Sequence, residues 1–161
     1  MNDTFTLLNE LLVDIFNDIL TIEQTALQAG SFSDISVTEI HTIEAMGMYK
    51  EKSMSEVAGI LGITVGTLTV AINNLVKKGY VLRKKTEVDR RVVNIELTKR
   101  GKLAYRIHEK FHSDMIHATI DGLSEEENKV LVKSLAQLNN FFKFNYNLIG
   151  GKKKEQINER S

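Results

Sequence analysis

The chain has 161 residues in which 21 Lys and Arg are balanced by 21 Asp and Glu. That is enough chain for one domain with a real core, and no net charge points by itself to a polyanionic partner. Cysteine is absent, which excludes disulfides, thiolate metal sites, cysteine nucleophiles and thiol-based redox sensing. The opening MNDTFTLLNE lacks the basic flank and apolar run of a secretory leader, and no window approaches the roughly 20 apolar residues of a membrane span. A soluble, cytoplasmic chain with no membrane partner is the expectation.

Proline is also absent, so helices can run long without forced breaks. A first helix is expected over 7–28, where Leu8, Leu11, Leu12, Ile15, Phe16, Ile19 and Ile22 recur at three and four. The Ser-x-x-Glu pattern of a capping box stands at Ser36/Glu39, Ser53/Glu56 and Ser124/Glu127. In it the serine oxygen accepts an early backbone N–H and the glutamate reaches back to the cap. These starts predict helices over 36–48, 53–61 and 124–147. Thr64 and Thr98 read as further caps, opening helices over 64–78 and 98–120. Gly62, Gly79 and Gly122 fall where left-handed C-caps belong. Between the fourth and fifth helices, Tyr80 and Leu82, then Val93, Ile95 and Leu97, alternate as the inward faces of two strands, 80–83 and 92–97. The fold class is mainly α: six helices plus a β-hairpin, in the order of a winged helix-turn-helix. Residues 36–98 form the DNA-binding lobe in this reading. Residues 1–35 and 99–147 form a helical dimerisation region, and the polar, glycine-led tail 148–161 is disordered.

Charge is distributed unevenly. Residues 1–63 carry ten Asp/Glu and two Lys, 64–76 carry none, and 77–110 carry twelve Lys/Arg against four Asp/Glu. A basic block beside an uncharged helix suits a phosphate backbone, although a solvated basic face would look the same. On a helical wheel of 64–78, Val65, Leu68, Ala71, Ile72 and Leu75 turn inward. The opposite face and its flanks carry Thr64, Gly66, Thr67, Thr69, Val70, Asn73, Asn74 and Lys77, with no carboxylate. Asn can pair with adenine, and Thr or Val methyls can pack on thymine methyls. The hairpin tip KKTEVDRR adds Lys84, Arg90 and Arg91 for a phosphate row or narrow minor groove, with Asp89 able to orient a neighbouring guanidinium.

Asp89-x-Arg91 followed by Leu97-Thr98, together with Ala58 to Thr64, Thr67, Ile72 and Leu75, resembles the wing and helix-turn-helix of the MarR family of winged-helix repressors. The resemblance covers residues 7 to about 147 and departs at Arg90, where the family is variable. It implies a homodimer reading two half-sites of a pseudo-palindrome, with Arg91 in the minor groove held by Asp89. FNDILTIEQTAL, TVGTLTVAINNLVKKGY and EVDRRVVNIELTKRG are similar to a branch of that family that represses fatty-acid biosynthesis genes. That likeness implies an A·T-rich site and long-chain acyl-acyl carrier protein as co-repressor. An acyl chain needs a dry, adaptable slot, for which Phe16, Ile19, Ile43, Met46, Phe111 and Met115 are the candidates, plain core being the competing reading. Release from DNA by a small aromatic ligand is the alternative. A zinc-responsive regulator is another, since His108 and His112 are spaced i, i+4 and His41 could join them; no metal or cofactor site is assigned. There is no GxSxG elbow, phosphate loop or dinucleotide fingerprint, so the chain is not expected to be an enzyme.

Overall fold

The computed structural model describes residues 2–85 and 92–145. Among these residues the chain order is α1 (Asn2–Ala29), α2 (Val37–Met46), β1 (Lys52–Ser53), α3 (Met54–Leu61), α4 (Val65–Lys77), β2 (Val81–Lys85), β3 (Val93–Leu97), α5 (Lys99–Ile120) and α6 (Glu125–Asn145). The six expected helices and two expected strands are present, so the fold is mainly α with a small antiparallel sheet. The chain divides into two compact units, 1–41 and 42–161.

The first unit is α1, a turn closed by Ile35 N–H donating to the Phe32 carbonyl, and the start of α2. Leu27, Phe32, Ile35 and Ile40 are buried, whereas Phe5, Leu8, Leu11, Ile15, Phe16 and Ile22 along α1 are exposed. The capping box at the start of α2 forms as expected. Ser36 N–H donates to Glu39 Oε2 at 2.9 Å and Glu39 N–H to Ser36 Oγ at 3.2 Å.

In the second unit the core comprises Ile43, Met46, Val57, Leu68, Ile72, Leu75, Tyr80, Val81 and Ile95, all nearly inaccessible. Ser53 caps α3 with a full capping box, and Thr64 caps α4. Gly62 between them takes the left-handed conformation at φ 67° that lets the chain reverse from one helix to the next. At Glu56 the backbone and side-chain hydrogen bonds from Ser53 hold the carboxyl below its ordinary range. The Ser124/Glu127 box forms too, with Glu127 Oε2 accepting from Ser124 N–H at 2.7 Å. The sheet has the order β1-β3-β2, all antiparallel, with Val81 opposite Leu97, Arg83 opposite Ile95 and Lys52 opposite Ile95 on the far side. Two residues of strand carry no readable alternation, which is why β1 is not legible in the sequence.

Two inward assignments are corrected. Leu82 is 49% exposed and Val81 is buried, because the strand begins after a turn residue. Gly79 adopts φ 78°, and Tyr80 N–H reaches back to the Leu75 carbonyl at 2.9 Å as a helix-terminating bond. Tyr80 is buried as part of that turn, and alternation starts one residue later. Val65 is 43% exposed: it is the first residue of α4, and the packed layer begins a turn further on, at Leu68. A wheel assumes that the facing layer runs the whole length of the helix.

The turn at 78–80 and the entry to α5 are joined atom by atom. Thr98 N–H donates to the Tyr80 carbonyl at 3.0 Å, and Thr98 Oγ1 donates to the Gly79 carbonyl at 2.7 Å. The same Oγ1 accepts from Gly101 N–H at 3.0 Å as the cap of α5. Arg100 donates to the Lys78 carbonyl at 3.0 Å while its guanidinium lies 4.3 Å over the Tyr80 ring. Gly101 is buried against Tyr80, and a Cβ there would fall far inside contact distance of the Tyr80 carbonyl oxygen. Gly101→Ala should therefore cost about 1–3 kcal/mol through backbone displacement. Gly59→Ala, in α3 with open space around it, should instead gain about 0.5–1 kcal/mol. Denaturant unfolding of both variants checks the contrast, and equal effects would contradict it.

Candidate nucleic-acid interface

Helix α4 presents two faces that differ in chemistry as well as burial. Leu68, Ile72 and Leu75 are fully buried. Gly66, Thr67, Val70, Asn73, Asn74 and Lys77 are exposed, and Thr69 is half-buried. Val70, at 63% exposed, stands near the middle of that outer face. No acidic residue lies in the first turn, and Lys77 lies in the last. The amino end is ordered by its threonines: Thr64 Oγ1 accepts from Thr67 N–H at 3.2 Å, and the two hydroxyls lie 2.9 Å apart. Thr69 donates its hydroxyl to the Val65 carbonyl at 2.8 Å, leaving lone pairs to accept and a methyl for apolar contact. Asn73 Oδ1 accepts from Arg83 Nη2 at 2.5 Å.

The wing is partly described. β2 and β3 are in register up to the pair Lys85 and Val93. Asp89, Arg90 and Arg91, the expected tip contacts, lie outside the described residues. Lys84 is held by carboxylates, with Nζ 2.9 Å from Glu96 and 3.2 Å from Glu51. Hydrogen bonds to Glu96 and then Glu51 push its ammonium above the ordinary lysine range. Glu51 is lowered in turn, chiefly by the Asn94 amide bond and then by Lys84. A phosphate approaching Lys84 competes with two carboxylates that are distant in sequence, a neutralisation that a count of basic residues does not reveal.

Arg83 was not among the sequence candidates. The register places it on the same strand face as Val81, toward α4, while Leu82 and Lys84 take the other face. Tyr80 is inward as expected, but with Leu82 rather than Val81 assigned inward, Arg83 is placed on the face away from α4 and its contact with Asn73 is not foreseen. The left-handed glycine at 79, followed by a turn residue, is the signal that would have found it.

The proposed acyl-pocket residues fall in both units. Phe16 is exposed and Ile19 half-buried in the first unit. In the second, Ile43 and Met46 are fully buried in the core, and Phe111 and Met115 are half-buried on α5. A pocket of about 740 Å³ in the second unit is lined by none of the six but by Ile116 and ten polar or charged residues, among them Glu44, Tyr105, Arg106, His108, Glu109 and His112. Burial, assisted by Glu109 and Glu44, raises the Tyr105 hydroxyl above its usual range. The histidines find protein partners. His108 Nε2 lies 3.1 Å from His112 Nε2 and 3.5 Å from Glu44, and in the first unit His41 Nε2 lies 3.4 Å from Glu23. In the pair at 108 and 112 one ring nitrogen donates and the other accepts. Among the described residues no single helix is long and apolar enough to cross a membrane.

Residues 33–92 match the model of the MarR family. The chain is 33% identical over 86 residues to the HTH-type transcriptional repressor YetL of Bacillus subtilis (strain 168), covering 53% of this chain and 52% of the relative. It is 24% identical over 106 residues to the regulator PchR of the same organism, covering 64% and 63%. The chain thus spans between half and two thirds of the length of these two relatives. Among solved structures, Streptococcus pneumoniae FabT in complex with DNA is 44% identical, with a TM-score of 0.79 over 86% of this chain and 97% of that one. The Staphylococcus aureus MepR–DNA complex shares the fold at 22% identity, with a TM-score of 0.64 over 83% and 96%.

The exposed, acid-free face of α4 generates one direct test. Val70→Glu places a carboxylate at its centre without touching the core. Stability should stay within about 0.5 kcal/mol, while affinity for duplex DNA in about 0.1 M salt should fall on the order of tenfold or more through repulsion from the phosphates. Fluorescence anisotropy with labelled duplex measures it, and unchanged affinity would remove α4 from the interface.

Proposed function

From the premise that the chain belongs to the MarR family, we infer that it is a DNA-binding transcriptional repressor that acts as a homodimer on an A·T-rich pseudo-palindrome. The single observation that carries this reading is the outer face of α4: hydroxyls, amides, a glycine and an exposed Val70, without a carboxylate. Such a face buries little area by itself and suits close approach to base edges. Thr64, Gly66, Thr67, Thr69, Val70, Asn73, Asn74 and Lys77 approach the major groove in this reading. Lys84, Asp89, Arg90 and Arg91 serve the wing, which tracks the adjoining backbone and minor groove.

The dimer is argued from unspent apolar surface. Helix α6 is 21 residues long with none buried, yet carries Leu135, Phe141 and Phe144 exposed. α1 exposes its own apolar stripe. A second copy covering these faces completes the core of each, and it sets the spacing of two α4 helices that must enter successive major grooves about 34–36 Å apart. Sedimentation should give twice the 18.2 kDa chain mass; a monomer at micromolar concentration would contradict the arrangement.

The regulated genes in this reading are those of fatty-acid biosynthesis, and long-chain acyl-acyl carrier protein is the co-repressor. Support comes from the 44% identity to FabT over nearly all of that chain and from the stretches quoted in the sequence analysis. A ligand strengthens binding only if it prefers the DNA-competent spacing of the dimer over the other. Phe16, Ile19, Ile43, Met46, Phe111 and Met115 are the proposed contacts of the acyl chain. Since Ile43 and Met46 are fully buried, entry of a chain requires core side chains to change rotamer, to which methionine is well suited. In a gel shift, long-chain acyl-acyl carrier protein should tighten the complex. An unchanged or weakened shift would favour the mode in which a ligand releases DNA.

A further inference from the structure

We propose that Arg83 is a positioning residue that fixes the direction in which Asn73 presents its amide to DNA, and so sets the base preference of α4. The inference rests on the reading of α4 as the base-contacting helix.

An asparagine amide can turn over about its last torsion and exchange the places of Oδ1 and Nδ2. One orientation offers an acceptor to a facing base and the other offers donors, so a free Asn73 would read two kinds of edge. Arg83 removes that ambiguity. A guanidinium has five N–H donors and no acceptor, so it can bond Oδ1 but has nothing to offer Nδ2. Its Nη2 lies 2.5 Å from Asn73 Oδ1, a charge-assisted contact stronger than a neutral one. With the oxygen turned toward β2, the NH₂ group is the part left for the groove.

The fold gives Arg83 this place by strand alternation. Val81 is buried opposite Leu97, and two residues on Arg83 lies opposite Ile95 on the same face, where the strand runs alongside α4. Leu82 and Lys84 take the other face, and Lys84 is occupied there by Glu51 and Glu96. Arg83 and Asn73 are both exposed, so their bond lies at the surface that approaches DNA rather than inside the core.

A donor-only amide asks for an acceptor in the major groove. N7 of either purine, O6 of guanine and O4 of thymine qualify, whereas the N4 amino group of a facing cytosine meets donor with donor. The wild-type chain should therefore reject cytosine at the base facing Asn73. Without Arg83 the amide can turn over, its oxygen can accept from cytosine N4, and the rejection relaxes.

The test uses the full-length protein and the duplex it selects from a randomised pool, with each base pair then varied singly. Binding is compared for wild type, Asn73→Ala, Arg83→Ala, Arg83→Lys and the double Asn73→Ala/Arg83→Ala variant, all first checked for unchanged thermal unfolding. Arg83→Ala should lose discrimination on the order of tenfold at the same base pair as Asn73→Ala. The double variant should discriminate no worse than Asn73→Ala alone, and Arg83→Lys, which keeps a donor-only head, should retain most of it. If Arg83→Ala weakens all duplexes alike and lowers the salt slope by about one with discrimination intact, Arg83 is a phosphate contact and the proposal is overturned. A loss at a different base pair makes Arg83 a reader itself and overturns it equally. If Asn73→Ala leaves discrimination unchanged, the base-reading role of Asn73 fails and the inference falls with it, an outcome separable from failure of Arg83 alone.

Discussion

The close approach of Gly101 to the Tyr80 carbonyl is the constraint on which the rest of the second unit depends. Only a residue without a Cβ lets the first turn of α5 lie directly on the backbone that ends α4. Once it does, Thr98 bonds both the Tyr80 and Gly79 carbonyls, and Arg100 covers the Tyr80 ring while bonding the Lys78 carbonyl. The carbonyls of Lys78, Gly79 and Tyr80, in the turn that follows α4, are satisfied by the start of α5 rather than by water. Helix α4 and β2 are thereby fixed to the base of α5. In the homodimer proposed above, a tilt of α5 carries α4 with it, because the connection is a set of short, directional bonds rather than a loop.

In the proposed complex a chain of zero net charge addresses a polyanion. The basic residues concentrate between 77 and 110, but the structure shows that they are not equivalent. Arg100 is committed to Tyr80 and Lys78, Lys84 to Glu51 and Glu96, and Arg83 to Asn73. What counts is the set of cations whose partners a phosphate could replace, a smaller set than the sequence suggests. Meanwhile α4 contributes by omission. A surface helix normally carries Glu and Lys on its outer face; in the proposed complex with DNA, the absence of Glu and Asp from α4 keeps a repulsive charge out of the groove at the cost of the usual i,i+4 pairs.

Much of the fold was legible because local chemistry and fold agree. The three Ser-x-x-Glu boxes, the threonine caps at 64 and 98 and the glycines at 62, 79 and 122 appear where their backbone chemistry requires them. The inward set of α4 is right at Leu68, Ile72 and Leu75 and wrong at Val65, where periodicity continues beyond the layer it packs on. Tyr80 is inward as expected; taking Leu82 rather than Val81 as the next inward residue turns β2 over and hides the approach of Arg83 to α4. Contacts across long sequence separations, such as Lys84 with Glu51 or Gly101 with Tyr80, carry no local signal at all, and neither does a strand as short as β1. The acyl-pocket candidates rest on residue type and helical spacing, which a ligand slot and a core share. The exposed apolar face of α1 is legible as a helical stripe, but what covers it is a property of the assembly rather than of one chain.

The claim that α4 and α5 are welded at this junction is tested most directly by amide hydrogen exchange of the native protein. The Tyr80 amide bonds the Leu75 carbonyl, and the Thr98 amide bonds the Tyr80 carbonyl. If the junction is part of the cooperative core, these two amides should be protected to the same free energy as the amides of Ile72 and Leu75 within α4. Exchange of Thr98 through a low-energy local opening, while Ile72 and Leu75 stay protected, would show that α5 parts from α4 on its own and would contradict the account.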